Sequence, residues 1–302
     1  MPLLRLEGVS REFDVSRPWL NRVLEREPRR YLRAVDRVSF EIAKGETLGL
    51  VGESGSGKST VARLIVGLWQ PTEGRIEFQG KRLQMIFQDP YASLNPRWRV
   101  RDIVAEPIKF LRTPQKVDDL LRQVGLSPED GDKYPHEFSG GQRQRISIAR
   151  ALGGEPDFLV CDEPTSALDV SVQAQILNLM RDLQERLGLT YLFISHNLAV
   201  VSQVADRVGV MYCGRIVELA SAAEIFSRPR HPYTRMLLDA VPDLSMAGKP
   251  RIPVGGDVPN PISPPSGCAF HPRCPYANER CRVETPAMID NVACHAVHEG
   301  RI

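Results

Sequence analysis

The nine residues Gly52-Glu53-Ser54-Gly55-Ser56-Gly57-Lys58-Ser59-Thr60 constrain this chain more than any other stretch, because they satisfy G-x-x-x-x-G-K-[ST]. Ahead of them, Thr47-Leu48-Gly49-Leu50-Val51 is a short apolar run of the kind that forms a buried parallel strand. Behind them, Lys58 to Val66 reads as a helix. Glycines let a backbone wrap an anion closely, so that successive N–H groups aim at phosphate oxygens while the helix dipole adds its field. Lys58 then supplies a point charge for β- and γ-phosphates, and Ser59 a hydroxyl for Mg²⁺. Strand, loop and helix in this order predict a nucleotide phosphate loop.

At 302 residues the chain has room for one large α/β domain and something smaller. Its 39 basic and 37 acidic residues nearly balance, so no strong field points to nucleic acid or anionic lipid. No apolar run reaches the length of a membrane span and no signal peptide is legible, which leads to the expectation of a soluble, cytoplasmic protein. In that compartment six cysteines are expected as thiols or metal ligands.

Leu3 to Val9 and Val35 to Ile42 alternate in polarity as half-buried strands do. Phe13, just past the first, either stacks on an adenine ring or fills core. Trp19, Arg22, Arg26, Arg29, Arg30, Tyr31 and Arg33 form a basic, partly aromatic segment open to a nucleic-acid or membrane-surface role. Glu25 and Glu27 interrupt that charge and favour a solvated face.

Arg75 to Phe78 and Leu83 to Phe87 are further strand candidates. The second delivers Gln88 to its C-terminal end, where ligands of open α/β sheets collect, so Gln88 can reach Mg²⁺ or an attacking water unless it is a plain turn residue. Arg101 to Val124 has helical spacing. Ser139-Gly140-Gly141-Gln142 precedes a helix from Arg143 to Leu152, and is either a second anion-receiving N-terminus or a simple Ser139 cap. Phe158-Leu159-Val160-Cys161 runs straight into Asp162 and Glu163. Side chains alternate along a strand, so the two acids can serve different partners: Asp162 can hold Mg²⁺ through its water shell, and Glu163 can polarise a water attacking the γ-phosphate. Structural acids at a strand end are the alternative. Cys161 reads as a small core residue, Asp169 as the N-cap of a following helix, and Thr190 to Ser195 as a strand ending in His196.

Phe138 to Gln142 resembles the signature motif of ATP-binding cassette (ABC) ATPases, with Phe138 in place of the commoner leucine. Ser166-Ala167-Leu168-Asp169 is similar to that family's dimer-contact loop, and His196 to its switch histidine. The resemblance covers about Leu3 to Ala240. It implies a head-to-tail dimer with ATP at the interface, Ser139 to Gln142 of one subunit closing over the phosphate loop of another, His196 holding Glu163 and water in line, and Phe13 stacking adenine. The implied fold is a P-loop α/β nucleotide-binding domain with an antiparallel β portion over residues 1–240, including a helical subdomain at about 89–144.

Phe87-Gln88-Asp89-Pro90, Ser93-Leu94-Asn95-Pro96, Tyr134-Pro135-His136-Glu137-Phe138 and His231-Pro232-Tyr233-Thr234 resemble the ATPase subunits of oligopeptide and dipeptide importers. That resemblance implies two transmembrane permease subunits docked on the segment after Gln88, a second ATPase copy or relative, an extracytoplasmic solute-binding protein, and a peripheral place on the cytoplasmic face of the inner membrane, with no nucleic acid as partner. Only a few residues separate Gly80 from Met85, where these relatives carry a longer insertion, and the helical subdomain is also short.

Residues 241–302 are expected as a separate extension. Seven prolines between Pro242 and Gly267 predict extended linker. Cys268, Cys274, Cys281 and Cys294 follow as C-x5-C-x6-C-x12-C and are expected to converge on one metal centre. His271, His295 or His298 could replace one cysteine in a Zn²⁺ site. The importer resemblance favours a [4Fe–4S] cluster, with Zn²⁺ as the alternative. Two other classes compete with an importer ATPase: a soluble cassette ATPase acting on ribosomes or nucleic acid, and a redox-sensing regulator built on the cysteine tail.

Overall fold

The computed structural model describes residues 2–18, 28–240, 259–260 and 262–302. The basic segment from Trp19 to Glu27 and most of the Pro-rich stretch after Ala240 lie outside them. Of the basic segment's described part, Arg33 pairs with Glu12 at 2.6 Å and Arg29 faces the Tyr31 hydroxyl at 3.5 Å, as on a solvated face. The chain forms two compact units that interleave along the sequence, one built chiefly from Ile42–Leu48 and Phe78–Ser195, the other from Arg5–Glu41, Gly49–Glu77 and His196–Ile302.

In the first unit, β5 (Leu83–Ile86), β6 (Phe158–Asp162) and β7 (Thr190–Ser195) lie side by side and parallel, with Leu83 opposite Phe158 and Phe158 opposite Thr190. Every residue of β6 and β7 is buried, which is why both read as unbroken apolar runs rather than alternating ones. Burying side chains such as Phe158, Leu159 and Val160 contributes about 1.5–3 kcal/mol each. That anchors β6 and fixes where its terminal acid emerges. Thr47 and Leu48, the start of β3 (Thr47–Val51), stand beside β7. The helical part comprises Pro90–Ser93, Val100–Leu111, Val117–Gln123, Gly140–Gly153 and Val170–Leu187. Val100, Ile103, Val104, Leu120 and Leu121 are buried there together with Ile146, Ile148, Ala149 and Leu152.

The short connection into β5 is held by one carboxylate. Asp157 accepts from the N–H groups of Lys81 at 2.6 Å and Arg82 at 3.1 Å.

In the second unit, β1 (Pro2–Asp14), β2 (Tyr31–Ala43) and β4 (Glu73–Phe78) form a three-stranded sheet in the order β2-β1-β4. β8 (Arg207–Tyr212) and β9 (Arg215–Ser221) form an antiparallel pair with a bulge at Val210/Met211, and Gly49–Val51 of β3 stand beside β8. The extension joins this unit edge-on: Leu219 N–H donates to Asn291 O at 2.9 Å and Ala293 N–H to Val217 O at 2.8 Å. Val292, Cys294 and Ala296 are buried behind that seam with Val297 and Ile302 packed against them.

Candidate nucleotide site

The phosphate loop is shaped by its own backbone and by one buried cation. Ser56 N–H donates to Glu53 O at 3.2 Å, and Lys58 Nζ donates to the carbonyls of Gly52 at 2.8 Å and Glu53 at 2.9 Å. Lys58 is only 4% exposed, so carbonyl dipoles replace much of the hydration its ammonium gives up. Gly57, at φ 106°, precedes the helix Lys58–Ile65, and a Cβ there would collide with the Ala34 carbonyl. Both the left-handed backbone and the close approach require glycine. Ser59 and Thr60 are half-buried on the first turn of that helix. Phe13 is also half-buried, with Trp69 edge-on at 4.9 Å and the Arg11 guanidinium 4.7 Å from its ring centroid. His196 is exposed, one residue ahead of Asn197, whose side chain caps the helix Leu198–Val204 through Ala199 N–H at 2.9 Å.

In the first unit, three of the expected polar residues gather at the C-terminal ends of β5 and β6. Asp162 ends β6 and is 3% exposed. Glu163 follows at φ 47°, a left-handed conformation that costs a non-glycine residue on the order of 1–3 kcal/mol. Its N–H donates to Ile194 O at 3.0 Å and its carbonyl accepts from Ser166 Oγ at 3.1 Å, so the fold holds it there. Gln88 Nε2 donates to Glu163 Oε2 at 3.3 Å. The sharp turn thus directs Glu163 toward the end of the neighbouring strand's connection, while Asp162 stays with the sheet.

Ser139 and Gln142 cap the helix Gly140–Gly153 reciprocally: Ser139 N–H donates to Gln142 Oε1 at 3.0 Å, and Gln142 N–H to Ser139 Oγ at 3.4 Å. Gly141 faces Val172 so closely that a Cβ would overlap its side chain. Asp169 caps the helix Val170–Leu187, accepting from Val172 N–H at 2.9 Å and Ser171 Oγ at 2.7 Å. The Val172 N–H and the Ser171 hydroxyl hold its carboxyl below the ordinary aspartate range.

A family described as ABC transporter matches residues 35–166, and one described as oligopeptide/dipeptide transporter, C-terminal region, matches residues 217–281. The oligopeptide transport ATP-binding protein AppF of Bacillus subtilis is 49% identical, over 87% of this chain and 89% of its own. The di/tripeptide transport ATP-binding protein DppF of Pseudomonas aeruginosa is 48% identical, over 97% of both chains. The chain belongs to the ABC transporter ATP-binding proteins. The solved structure of cbiO1 from Clostridium perfringens, part of the ABC transporter complex cbiONQ, matches 75% of this ATPase and 91% of its own chain at TM-score 0.62 and 26% identity. The match to DppF runs over 320 positions, more than this 302-residue ATPase contains, so the relative carries residues that this chain lacks. These relatives are transport subunits and give no support to a ribosome-directed, nucleic-acid-directed or redox-sensing ATPase.

The cysteines of the extension meet their expectation only in part. Burial pushes the Cys268 thiol up to about 12, with Cys294, Cys274 and Cys281 adding to the rise. Yet among the described residues no group of three or more His, Cys, Asp or Glu side chains is arranged to hold a metal ion. Hydrogen bonds at the backbone fix two of them: Cys268 N–H donates to Cys281 O, and Cys281 N–H to Asn278 Oδ1. Each alternative histidine places one ring nitrogen on a carbonyl, His271 on Cys268, His295 on Glu284 and His298 on Val292. A carbonyl can only accept, so that nitrogen carries the proton. Cys161 is fully buried core, and burial raises its thiol pKa.

Two residues against the phosphate loop were not legible in the sequence. Tyr233 accepts a hydrogen bond from Glu53 N–H at 2.9 Å, and Arg273 holds the Glu53 carboxylate at 2.8 and 3.0 Å. Tyr233 stands in His231-Pro232-Tyr233-Thr234, a string noticeable only by family likeness. Arg273 lies 220 residues from its partner, and nothing local marks it.

Proposed function

We propose that this ATPase powers an importer of dipeptides, oligopeptides or related small solutes, acting through two transmembrane permease subunits fed by an extracytoplasmic solute-binding protein. The observation that carries this reading is the identity with AppF and DppF, which runs through the cassette and on into the extension. The segment after Gln88 exposes Tyr91 and Trp98, with exposed Phe87 just ahead of it, a surface suited to receiving permease helices. No described helix is long and apolar enough to cross a membrane. A peripheral position on the cytoplasmic face of the inner membrane fits this reading.

In the proposed cycle Gly52 to Thr60 wraps the phosphates, Lys58 neutralises β- and γ-oxygens, and Phe13 stacks the adenine. Ser59, Gln88 and Asp162 offer the oxygen ligands that Mg²⁺ prefers; when bound, the ion neutralises charge on the phosphate oxygens. Glu163, steadied by Gln88 and His196, takes the proton of the attacking water. A second ATPase subunit, identical or related, contributes its own Ser139 to Gln142 across a head-to-tail interface. Residues 1–240 are the cassette, with its helical subdomain at about 89–144, and 241–302 the extension.

Cys268, Cys274, Cys281 and Cys294 are proposed thiolates for a [4Fe–4S] cluster, with Zn²⁺ the alternative. Four neighbouring thiols have the right donor chemistry, although their placement here is not a ligand set, and no step of the cycle runs through them. Protein purified without oxygen should carry roughly four iron and four sulfide per chain. Stoichiometric zinc without iron eliminates the cluster.

The transport reading is tested by identifying what co-purifies with the tagged chain from gently solubilised membranes of its own cell. Two multi-span proteins and a cassette ATPase are expected. Ribosomes or nucleic-acid proteins in their place would sink it.

A further inference from the structure

We propose that Arg273 and Tyr233 are positioning residues for ATP: they fix Glu53 from behind, and Glu53 in turn aims the Lys58 ammonium. The inference rests on the reading of Lys58 as a phosphate-binding residue. Three separate groups of Glu53 are used at once. Its carbonyl accepts from Lys58 Nζ at 2.9 Å, its N–H donates to the Tyr233 hydroxyl at 2.9 Å, and its carboxylate takes both terminal nitrogens of Arg273. One residue therefore links the extension to the loop's cation.

The far side of this link is rigid. Tyr212, Tyr233 and Phe270 are each no more than 2% exposed and pack ring against ring, with centroids 4.5, 5.3 and 5.4 Å apart. The Arg273 guanidinium lies about the rings of Tyr212 and Phe270 at 6.0 and 5.9 Å, and its side chain is 7% exposed. Phe270 and Arg273 sit between Cys268 and Cys274, within the matched transporter C-terminal region. Bidentate geometry specifies orientation as well as charge, which a lysine could not reproduce.

The charge balance gives a distinctive prediction. A carboxylate in a phosphate loop repels the anion that the loop receives, and Arg273 cancels that repulsion. Removing Arg273 alone leaves the half-buried Glu53 carboxylate uncompensated. Removing both charges does not.

The test is equilibrium binding of ATP with Mg²⁺, and steady-state ATP hydrolysis, on the full-length chain. Arg273→Ala should weaken ATP binding about tenfold, since truncating one partner of a partly buried charge pair leaves the other unpaired. Adding Glu53→Gln to Arg273→Ala should bring the affinity back to within about threefold of wild type, and Arg273→Lys should recover only part of the loss. A purely structural role for Arg273 would give additive losses. If Arg273→Ala does not fold, Tyr233→Phe, which keeps the buried ring, should still raise the KM for ATP about fivefold with kcat within about twofold. Unchanged affinity in Arg273→Ala, no rescue by Glu53→Gln, or an unchanged KM in Tyr233→Phe would overturn the proposal. A wild-type chain that binds no ATP would overturn the nucleotide-site reading itself, and this inference with it.

Discussion

Two helices in this protein carry glycine at their N-terminal ends and treat those ends in opposite ways. At Lys58–Ile65 the cap is Gly57, which has no side chain to offer, and the loop ahead of it is bent by Lys58 around its own carbonyls. At Gly140–Gly153 the cap is Ser139, and Gln142 answers it, so two of the terminal N–H groups are satisfied from within. A helix N-terminus is an anion seat only as far as its donors are not already taken. The first has no side-chain cap of its own. The second closes on itself, with the Ser139 hydroxyl at a long 3.4 Å from Gln142 N–H.

If that contrast is right, damage at the first terminus should register in ATP binding and damage at the second in stability as well. Lys58→Ala should lower turnover by on the order of 10²–10³-fold, the scale of losing one preorganised electrostatic group. It should also abolish thermal protection by ATP, which in the wild type at a hundred times Kd amounts to about 2.7 kcal/mol. Gly141→Val, forced against Val172, should cost about 1–3 kcal/mol in denaturant unfolding, with ATP affinity of the surviving folded protein little changed. Ser139→Ala should cost about 1 kcal/mol of cap energy and depress hydrolysis more than binding. An equal loss of ATP affinity from Lys58→Ala and Ser139→Ala would erase the distinction.

The sequence made the parallel sheet legible because β6 and β7 are buried on both faces and their apolar runs have no other explanation. It marked Gly52 to Thr60, Asp162 and Glu163 because these depend on neighbours in the chain: the loop curls on itself, and the acids end a strand. Gln88 could be placed by the same end-of-strand argument, though its hydrogen bond to Glu163 could not. Ser139 left two readings open, and the capping box realises the structural one without removing the other.

What escaped notice depends on tertiary approach. β1 and β2 run several residues beyond their alternating stretches, since pairing in the order β2-β1-β4 sustains them where local pattern fades. Arg273 was invisible because its partner is remote and its neighbours are cysteines that draw the eye toward metal. Four cysteines in 27 residues suggested one metal centre, and among the described residues no such ligand group is arranged.

The central claim is that ATP held by this chain is hydrolysed with Glu163 as the base. The direct measurement is turnover and ATP affinity of Glu163→Gln on one preparation. The account predicts that kcat falls at least about a hundredfold while the Kd for ATP stays within about twofold, because a general base contributes to the reaction and not to holding the phosphates. Near-wild-type turnover in Glu163→Gln would contradict it.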